Sequence, residues 1–247
     1  MVLDQIEILV ILTLGSFLAS LVNGAFATGG VYILLATSTA VLPITAAVPL
    51  QSPFALASLI ARIWLFWEGI DWKIVAAFAL GAIIGVTLGA SVFVSLDEAT
   101  IAMLLGTVLL VLIWMPSGDL KVPLKHPFFP IGILHSFIGT LFGVGALLQP
   151  AIIRTRLLKA QITGTLAACL AAMDVMKMTG YSSYGFDYSQ YVPHIILVSI
   201  AGFLGTWVGK RITHHVSEQL FRTAFRWLIT IVALRLLWKG ISLWGQG

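Results

Sequence analysis

Residues 8–61 contain no Asp, Glu, Lys or Arg. Further uncharged runs cover 74–96, 99–118, 126–153, 160–173 and 188–209, and a last apolar segment at about 224–243 carries Arg226 and Arg235. Uncharged runs of about 18 residues or more read as membrane-spanning helices. The pattern therefore predicts an all-α polytopic membrane protein of about eight transmembrane segments. Irregular backbone cannot face lipid, so glycine-rich interruptions inside these runs must be buried in protein or line a cavity. Two occur, at Asn23-Gly24-Ala25-Phe26-Ala27-Thr28-Gly29-Gly30 and at Gly139-Thr140-Leu141-Phe142-Gly143-Val144-Gly145-Ala146.

The interruptions expose an internal repeat. A shift of 116 places Asn23 on Gly139, Phe26 on Phe142, Gly29 on Gly145, Gly69 on Gly185, Asp71 on Asp187 and Trp72 on Tyr188. Four extra residues then enter the second half, and a shift of 120 aligns Gly85 with Gly205, Gly89 with Gly209 and Glu98 with Glu218. Glycine matches are cheap in a chain with 23 of them, whereas the Gly-x-Asp-aromatic match and the steady register are not.

Charge sets the relative orientation of the halves. The turn at Ser95-Leu96-Asp97-Glu98 has no Lys or Arg, but its repeat-mate from Lys210 to Arg222, which includes His214 and His215, is basic. Arg62 and Lys73 flank the turn near Glu68, while its mate at 180–190 has only Asp187. Lys and Arg in short loops stay cytoplasmic, so equivalent loops fall on opposite faces. This is an inverted repeat, as in many secondary transporters; a parallel duplication with accidental charge asymmetry is the alternative. The same rule puts Lys121, Lys125, Arg154, Arg156 and Lys159 inside, with only the stretch 126–153 between the two basic segments. Two full crossings need at least about 34 residues, more than this stretch holds, so each half is expected to contain a Gly-broken or re-entrant hairpin. The expected organisation is a first repeat at 1–118, a cytoplasmic linker at 119–126 and a second repeat at 127–247.

Composition agrees. Of 247 residues, 59% are apolar and 10% charged (14 Lys plus Arg, 10 Asp plus Glu), with a mean hydropathy of +1.02. Soluble domains carry roughly 25% charged residues. The +4 charge is scattered between apolar runs, which suits orientation in a bilayer and predicts no nucleic-acid partner. Cys169 stands alone in an apolar run and has no disulfide partner within the chain. The acidic Met1–Glu7 segment predicts no cleaved signal peptide.

Two segments carry a family resemblance: Gly143-Val144-Gly145-Ala146-Leu147-Leu148-Gln149-Pro150, and Lys159-Ala160-Gln161-Ile162-Thr163-Gly164-Thr165. Together they resemble the TauE/SafE sulfite exporter family, also called the toluene-sulfonate uptake permeases. Its halves each have a glycine-rich segment ending in proline, followed by a helix that begins A-V-G-T-S. The first half departs, with Ala27-Thr28-Gly29-Gly30 and Val48-Pro49-Leu50-Gln51-Ser52 at these places. The resemblance spans about residues 10–240 and implies transport of sulfite, organosulfonates and related small anions.

An anion site needs positive potential, which free N–H groups at helix starts supply, and glycines let a ligand approach that backbone. Helices resuming near Gly30 and Ala146 meet this requirement, with Asn23, Thr28 and Gln149 as neutral donors. Gly29, Gly30, Gly143 and Gly145 are therefore candidate substrate-binding residues, and Gln51, Ser52, Thr163 and Thr165 join them from the two motif helices. The competing reading is close helix packing. Arg62, in an apolar helix with no acid within four residues, is either neutralised by the bound anion or snorkels to the surface. Lys177 has Asp174 three residues back, an intrahelical pair; Asp174 is otherwise the candidate for proton coupling. His135 reads as a packed, hydrogen-bonded side chain, and Asp97-Glu98 form no facing acid pair. Trp67, Trp72, Trp114, Trp238 and Trp244 flank apolar runs as an interfacial belt, and Trp64 and Trp207 are candidates to line a pathway.

There is no H-E-x-x-H, G-x-S-x-G, Walker motif or Cys/His metal cluster. No enzyme activity, cofactor or metal is expected. The reading is a secondary transporter, an exporter of a small sulfur-containing anion such as sulfite or an organosulfonate. It lies in a cell membrane, of bacterial inner-membrane type, with the anion and the bilayer as partners and a homodimer as a compatible state. A membrane enzyme or assembly subunit, with breaks serving packing alone, is the alternative, and a transporter of cations or neutral solutes a weaker one.

Overall fold

A computed structural model describes residues 4–26, 29–114, 127–145, 147–212 and 218–245, and every regular element among these described residues is helical. In order they are α1 (Gln5–Phe26), α2 (Gly30–Val41), α3 (Ile44–Leu65), a 3-10 turn (Trp67–Gly69), α4 (Trp72–Ser95) and α5 (Glu98–Trp114). There follow α6 (Phe128–Phe142), α7 (Leu148–Ile153), α8 (Lys159–Ser183), a 3-10 turn (Tyr188–Tyr191), α9 (Val192–Ile212) and α10 (Glu218–Trp244). The 119–126 linker, Thr28 and His214-His215 lie outside the described residues.

Among the described residues, six segments are long and apolar enough to cross a membrane: Gln5–Gly24, Ile44–Leu65, Trp72–Ser95, Lys159–Ser183, Tyr188–Gly209 and Arg226–Trp244. Against about eight expected, the helices at α5 and α6 are apolar but stop at 17 and 15 residues. Large apolar side chains such as Leu80, Ile83, Ile200 and Ile231 point outward, as a lipid-facing surface requires.

Short polar side chains start the helices at the turns. Asp71 accepts from the N–H groups of Lys73 and Ile74 at 3.0 and 3.2 Å, capping α4. Its repeat-mate Asp187 accepts from Ser189 N at 2.9 Å. Asp97 accepts from the backbone N–H and the hydroxyl of Thr100, both at 2.8 Å, and these bonds hold its carboxyl below the usual carboxylate range. Glu98 turns the other way, to Ile44 N at 3.1 Å and Lys239 Nζ at 2.8 Å.

The spans pack as α1 on α9, α4 on α6, α5 on α10 and α3 on α8. Two of these seams are built on matched glycines. A Cβ on Gly85 would stand 2.2 Å from the Ile133 carbonyl oxygen, and one on Gly205 would stand 2.3 Å from that of Phe17. Gly89 and Gly209 meet the carbonyls of Phe137 and Leu21 in the same way, at 3.0 and 2.2 Å. The glycines are the pairs that align at a shift of 120, and their partners, Ile133 with Phe17 and Phe137 with Leu21, stand 116 apart. With no Cβ, the helix backbones come into direct contact. α3 and α8 are the most enclosed spans, 67% and 56% buried, against 28–44% for the others. They form the centre of the molecule.

Candidate functional site

The first glycine break falls between α1 and α2. Gly29 takes φ 95°, a left-handed conformation open to glycine, and Gly30 N donates to Asn23 Oδ1 at 2.9 Å. A Cβ on Gly30 would meet the Ala19 carbonyl oxygen at 2.0 Å. The Asn23 oxygen accepts the N–H that opens α2, and its amide Nδ2 is the group expected to donate to an anion.

The second break is built alike from different residues. α6 ends at Gly143, φ 72°, and α7 resumes at Leu148. Helix starts leave N–H groups without intrahelical partners. Here Leu147 N and Leu148 N both donate to His135 Nδ1, at 3.2 and 3.1 Å, from the preceding helix. The imidazole lies flush on Gly145, where a Cβ would come within 2.3 to 2.7 Å of three ring atoms, and is edge-on to Phe78. Sequence reading found His135 packed but not its part in closing the break, which only the bend reveals.

Between the breaks runs α3, with prolines at 49 and 53. Pro53 has no N–H to return to the Pro49 carbonyl four residues earlier, and the Tyr188 hydroxyl donates to that oxygen at 3.4 Å. The spacing of the two prolines signals an orphaned carbonyl, but not which side chain answers it. Gln51, next on this helix, donates through Nε2 to Ser38 Oγ at 2.7 Å and to Ala47 O at 3.3 Å, leaving Oε1 buried without a partner. Gly143 seats against the same residue, its virtual Cβ 3.2 Å from Gln51 Cγ and 3.3 Å from Leu35 Cδ1. Hence α2, α3 and the second break meet at Gln51.

Ser52 faces α8. Its hydroxyl donates to Asp174 Oδ1 at 3.0 Å, and that oxygen stands 3.6 Å from Lys177 Nζ. All three side chains are buried. One turn on, the Tyr181 hydroxyl donates to the Thr140 carbonyl of α6. The intrahelical pair expected from the sequence is present, and a hydroxyl from α3 joins it. Buried ions require such added hydrogen bonds.

The other candidates lie elsewhere. Arg62 is half-buried in the last turn of α3, and its Nε donates to Ser58 O at 3.4 Å. It stands ten residues beyond Ser52, about 15 Å along the axis at 1.5 Å per residue. Thr165 accepts from Asp71 N at 3.0 Å, and the Thr163 hydroxyl donates to Lys159 O at 2.9 Å within its own helix. Gly164 between them packs on Phe66, so the start of α8 sits at the Arg62 end. Gln149 is half-buried in α7. Trp64 and Trp207 do not line an interior path: they are 79% and 52% exposed, Trp207 carrying the Arg211 guanidinium 3.7 Å above its ring. Among the described residues, no three His, Cys, Asp or Glu side chains gather as metal ligands.

The family model described as Sulfite exporter TauE/SafE matches residues 12–236. No curated protein and no solved structure matches the chain.

Proposed function

Because the chain belongs to the sulfite exporter TauE/SafE family, a family of transporters rather than enzymes, we propose that it moves a small sulfur-containing anion, sulfite or an organosulfonate, outward across a bacterial inner membrane. Six apolar spans and this family make it a multi-pass membrane protein. Secondary transport suits a chain without a nucleotide-binding motif.

In this reading the anion passes at mid-membrane between the two glycine breaks. Gly29, Gly30 and Asn23 flank one side, and Gly143, Gly145 and Gln149 the other, with Gln51 and Ser52 between. The observation that carries it is the buried polar line in the most enclosed helix pair: Ser38 to Gln51 against Gly143, and Ser52 to Asp174 and Lys177. A dry apolar bundle has no structural need for that many polar groups. Arg62, with Thr163 and Thr165 nearby, forms the cytoplasmic mouth and gathers anions by its field. Asp174 is the proton-coupling carboxylate.

We further read the halves, 1–118 and 127–247 joined by the 119–126 linker, as inverted repeats. The matched glycine seams support a duplication, and the opposite charge of equivalent loops supports the inversion. A homodimer suits this architecture.

One observation favours a second reading, in which the breaks are purely structural: both resumed helices are already capped, by Asn23 and by His135. Purified protein in proteoliposomes, loaded with sulfite, thiosulfate, toluenesulfonate or acetate, separates the two. The transport reading expects flux of the sulfur oxyanions, lost in Arg62→Gln and partly kept in Arg62→Lys, which retains charge without the planar fork. Folded protein that carries none of them sinks it.

A further inference from the structure

The stripe Met173, Lys177 and Tyr181 runs along one face of α8, each one turn from the next. Met173 lies against Gly139 of α6, with Sδ 3.6 Å from the place of a Cβ, and Tyr181 donates to the Thr140 carbonyl of the same helix. Lys177 stands between those two contacts and is thereby presented to α6. It is 1% exposed. Its ammonium carries three N–H donors, and Asp174, at 3.6 Å, lies beyond ordinary hydrogen-bond distance. The Asp174 oxygen nearest to it already accepts from Ser52.

One turn before Gly139, α6 carries two further buried groups without partners. Ser136 Oγ is fully buried and unbonded, and so is His135 Nε2. The histidine tautomer follows from the cap. Nδ1 accepts from two backbone N–H groups, so the ring proton sits on Nε2. Nε2 is then a buried N–H donor with no acceptor. An under-used ammonium on α8 is thus presented to the helix that carries an unpaired imidazole N–H and an unpaired hydroxyl. Buried groups of this kind are costly to leave unmatched. A sulfite or sulfonate group supplies what they lack: negative charge and three oxygens that accept.

We propose that the α6–α8 seam is the anion's binding pocket, with Lys177 Nζ, His135 Nε2 and Ser136 Oγ holding its oxygens and Asp174 as the resident competitor that the anion displaces from Lys177. The inference rests on the reading of the chain as an anion transporter. It puts the mid-membrane counter-charge on Lys177, leaving Arg62 at the mouth, and moves the pocket from the glycine backbone to one inter-helix seam.

The test is equilibrium binding of radiolabelled sulfite to the full chain in lipid nanodiscs, with flux in proteoliposomes alongside. Asp174→Asn keeps the cation and removes its rival, so sulfite should bind about tenfold more tightly. Ser136→Ala should weaken binding about tenfold. Lys177→Met paired with Asp174→Asn removes both charges and leaves no buried ion alone; it should abolish binding while keeping the wild-type melting temperature within a few degrees. A merely structural ion pair predicts the reverse: the paired variant binds sulfite within twofold of wild type, or Asp174→Asn binds it more weakly. Either result overturns the proposal. Should the paired variant not fold, Asp174→Asn and Ser136→Ala decide by themselves. Wild-type sulfite flux that survives in the paired variant refutes this pocket and leaves the transport reading standing. A wild type that neither binds nor carries any of the sulfur oxyanions refutes both.

Discussion

The α4–α6 seam makes a quantitative prediction. In Gly85→Ala the new methyl would sit 2.2 Å from the Ile133 carbonyl oxygen and 2.9 Å from Phe137 N, where ordinary contact begins at 3.4 Å. Both approaches fall well inside that limit, and both are against backbone, which has no rotamer to change. The helices must part on the order of 1 Å, and a gap of that size forfeits roughly a quarter to a half of each dispersion contact along the seam. Overpacking of this kind costs about 1–3 kcal/mol, and more where backbone must move. The better helix propensity of alanine returns at most about 1 kcal/mol. A net loss of about 2 kcal/mol lowers the melting temperature by roughly 4–8 °C in a chain of this size. Gly205→Ala meets Phe17 O at 2.3 Å and should lose the same amount. Gly139→Ala is the control: its Cβ finds nothing nearer than 3.6 Å, so the variant should match or exceed wild type. Melting curves of the detergent-solubilised protein, followed by tryptophan fluorescence, give the comparison. If Gly85→Ala and Gly139→Ala melt together, the close approach of α4 and α6 is wrong.

Two further outcomes follow from single hydrogen bonds. Tyr188→Phe should cost about 0.5–1.5 kcal/mol by orphaning the Pro49 carbonyl; adding Pro53→Ala should restore most of it, because residue 53 regains an N–H for that oxygen, and a double variant no more stable than Tyr188→Phe in the same melts would contradict this. Asp97, fully exposed, has its carboxyl held low by Thr100, so it stabilises the folded chain above the ordinary carboxylate pKa of about 3.9, and the effect fades as pH falls through the lower folded value. Melting curves run from neutral pH to about pH 3 should therefore lose less in Asp97→Asn than in wild type.

Much of the architecture is legible in the charge-free runs, and the glycine interruptions mark where helices stop. The run 8–61 divides into α1, α2 and α3 at Gly29 and at Pro43, the residues whose backbone preferences end or start a helix. The pairing of Lys177 with Asp174 also follows from spacing alone. What spacing cannot deliver is which faces meet. A helix apolar all round has no polar face to orient it, so the sequence offers no sign that Trp64 and Trp207 point outward or that Ser52 points at Asp174. The caps of the broken helices are hidden for a related reason. Asn23 lies seven residues before the N–H it accepts and His135 twelve or thirteen, beyond any local capping pattern.

The register that aligns the halves also locates where they cease to match. At a shift of 116, Gln51 and Ser52 in α3 fall on Ala167 and Ala168 in α8, while Asp174 and Lys177 fall on Ser58 and Ala61. Gly85 and Gly89 have glycine mates in Gly205 and Gly209 of the other half; the polar residues at the centre have no such mates. Each central helix supplies one part, amide and hydroxyl from α3 and the ion pair from α8, and they meet across the α3–α8 contact in a single Ser52–Asp174 bond. Packing tolerates no Cβ at the shared glycines, which keeps the two seams alike whatever the chain carries. Recognition has no such constraint, because a small anion needs its counter-charge on one side only. On the proposal that an anion binds at this centre, it lies toward α6 and α8, where the buried cation and the unpaired donors are.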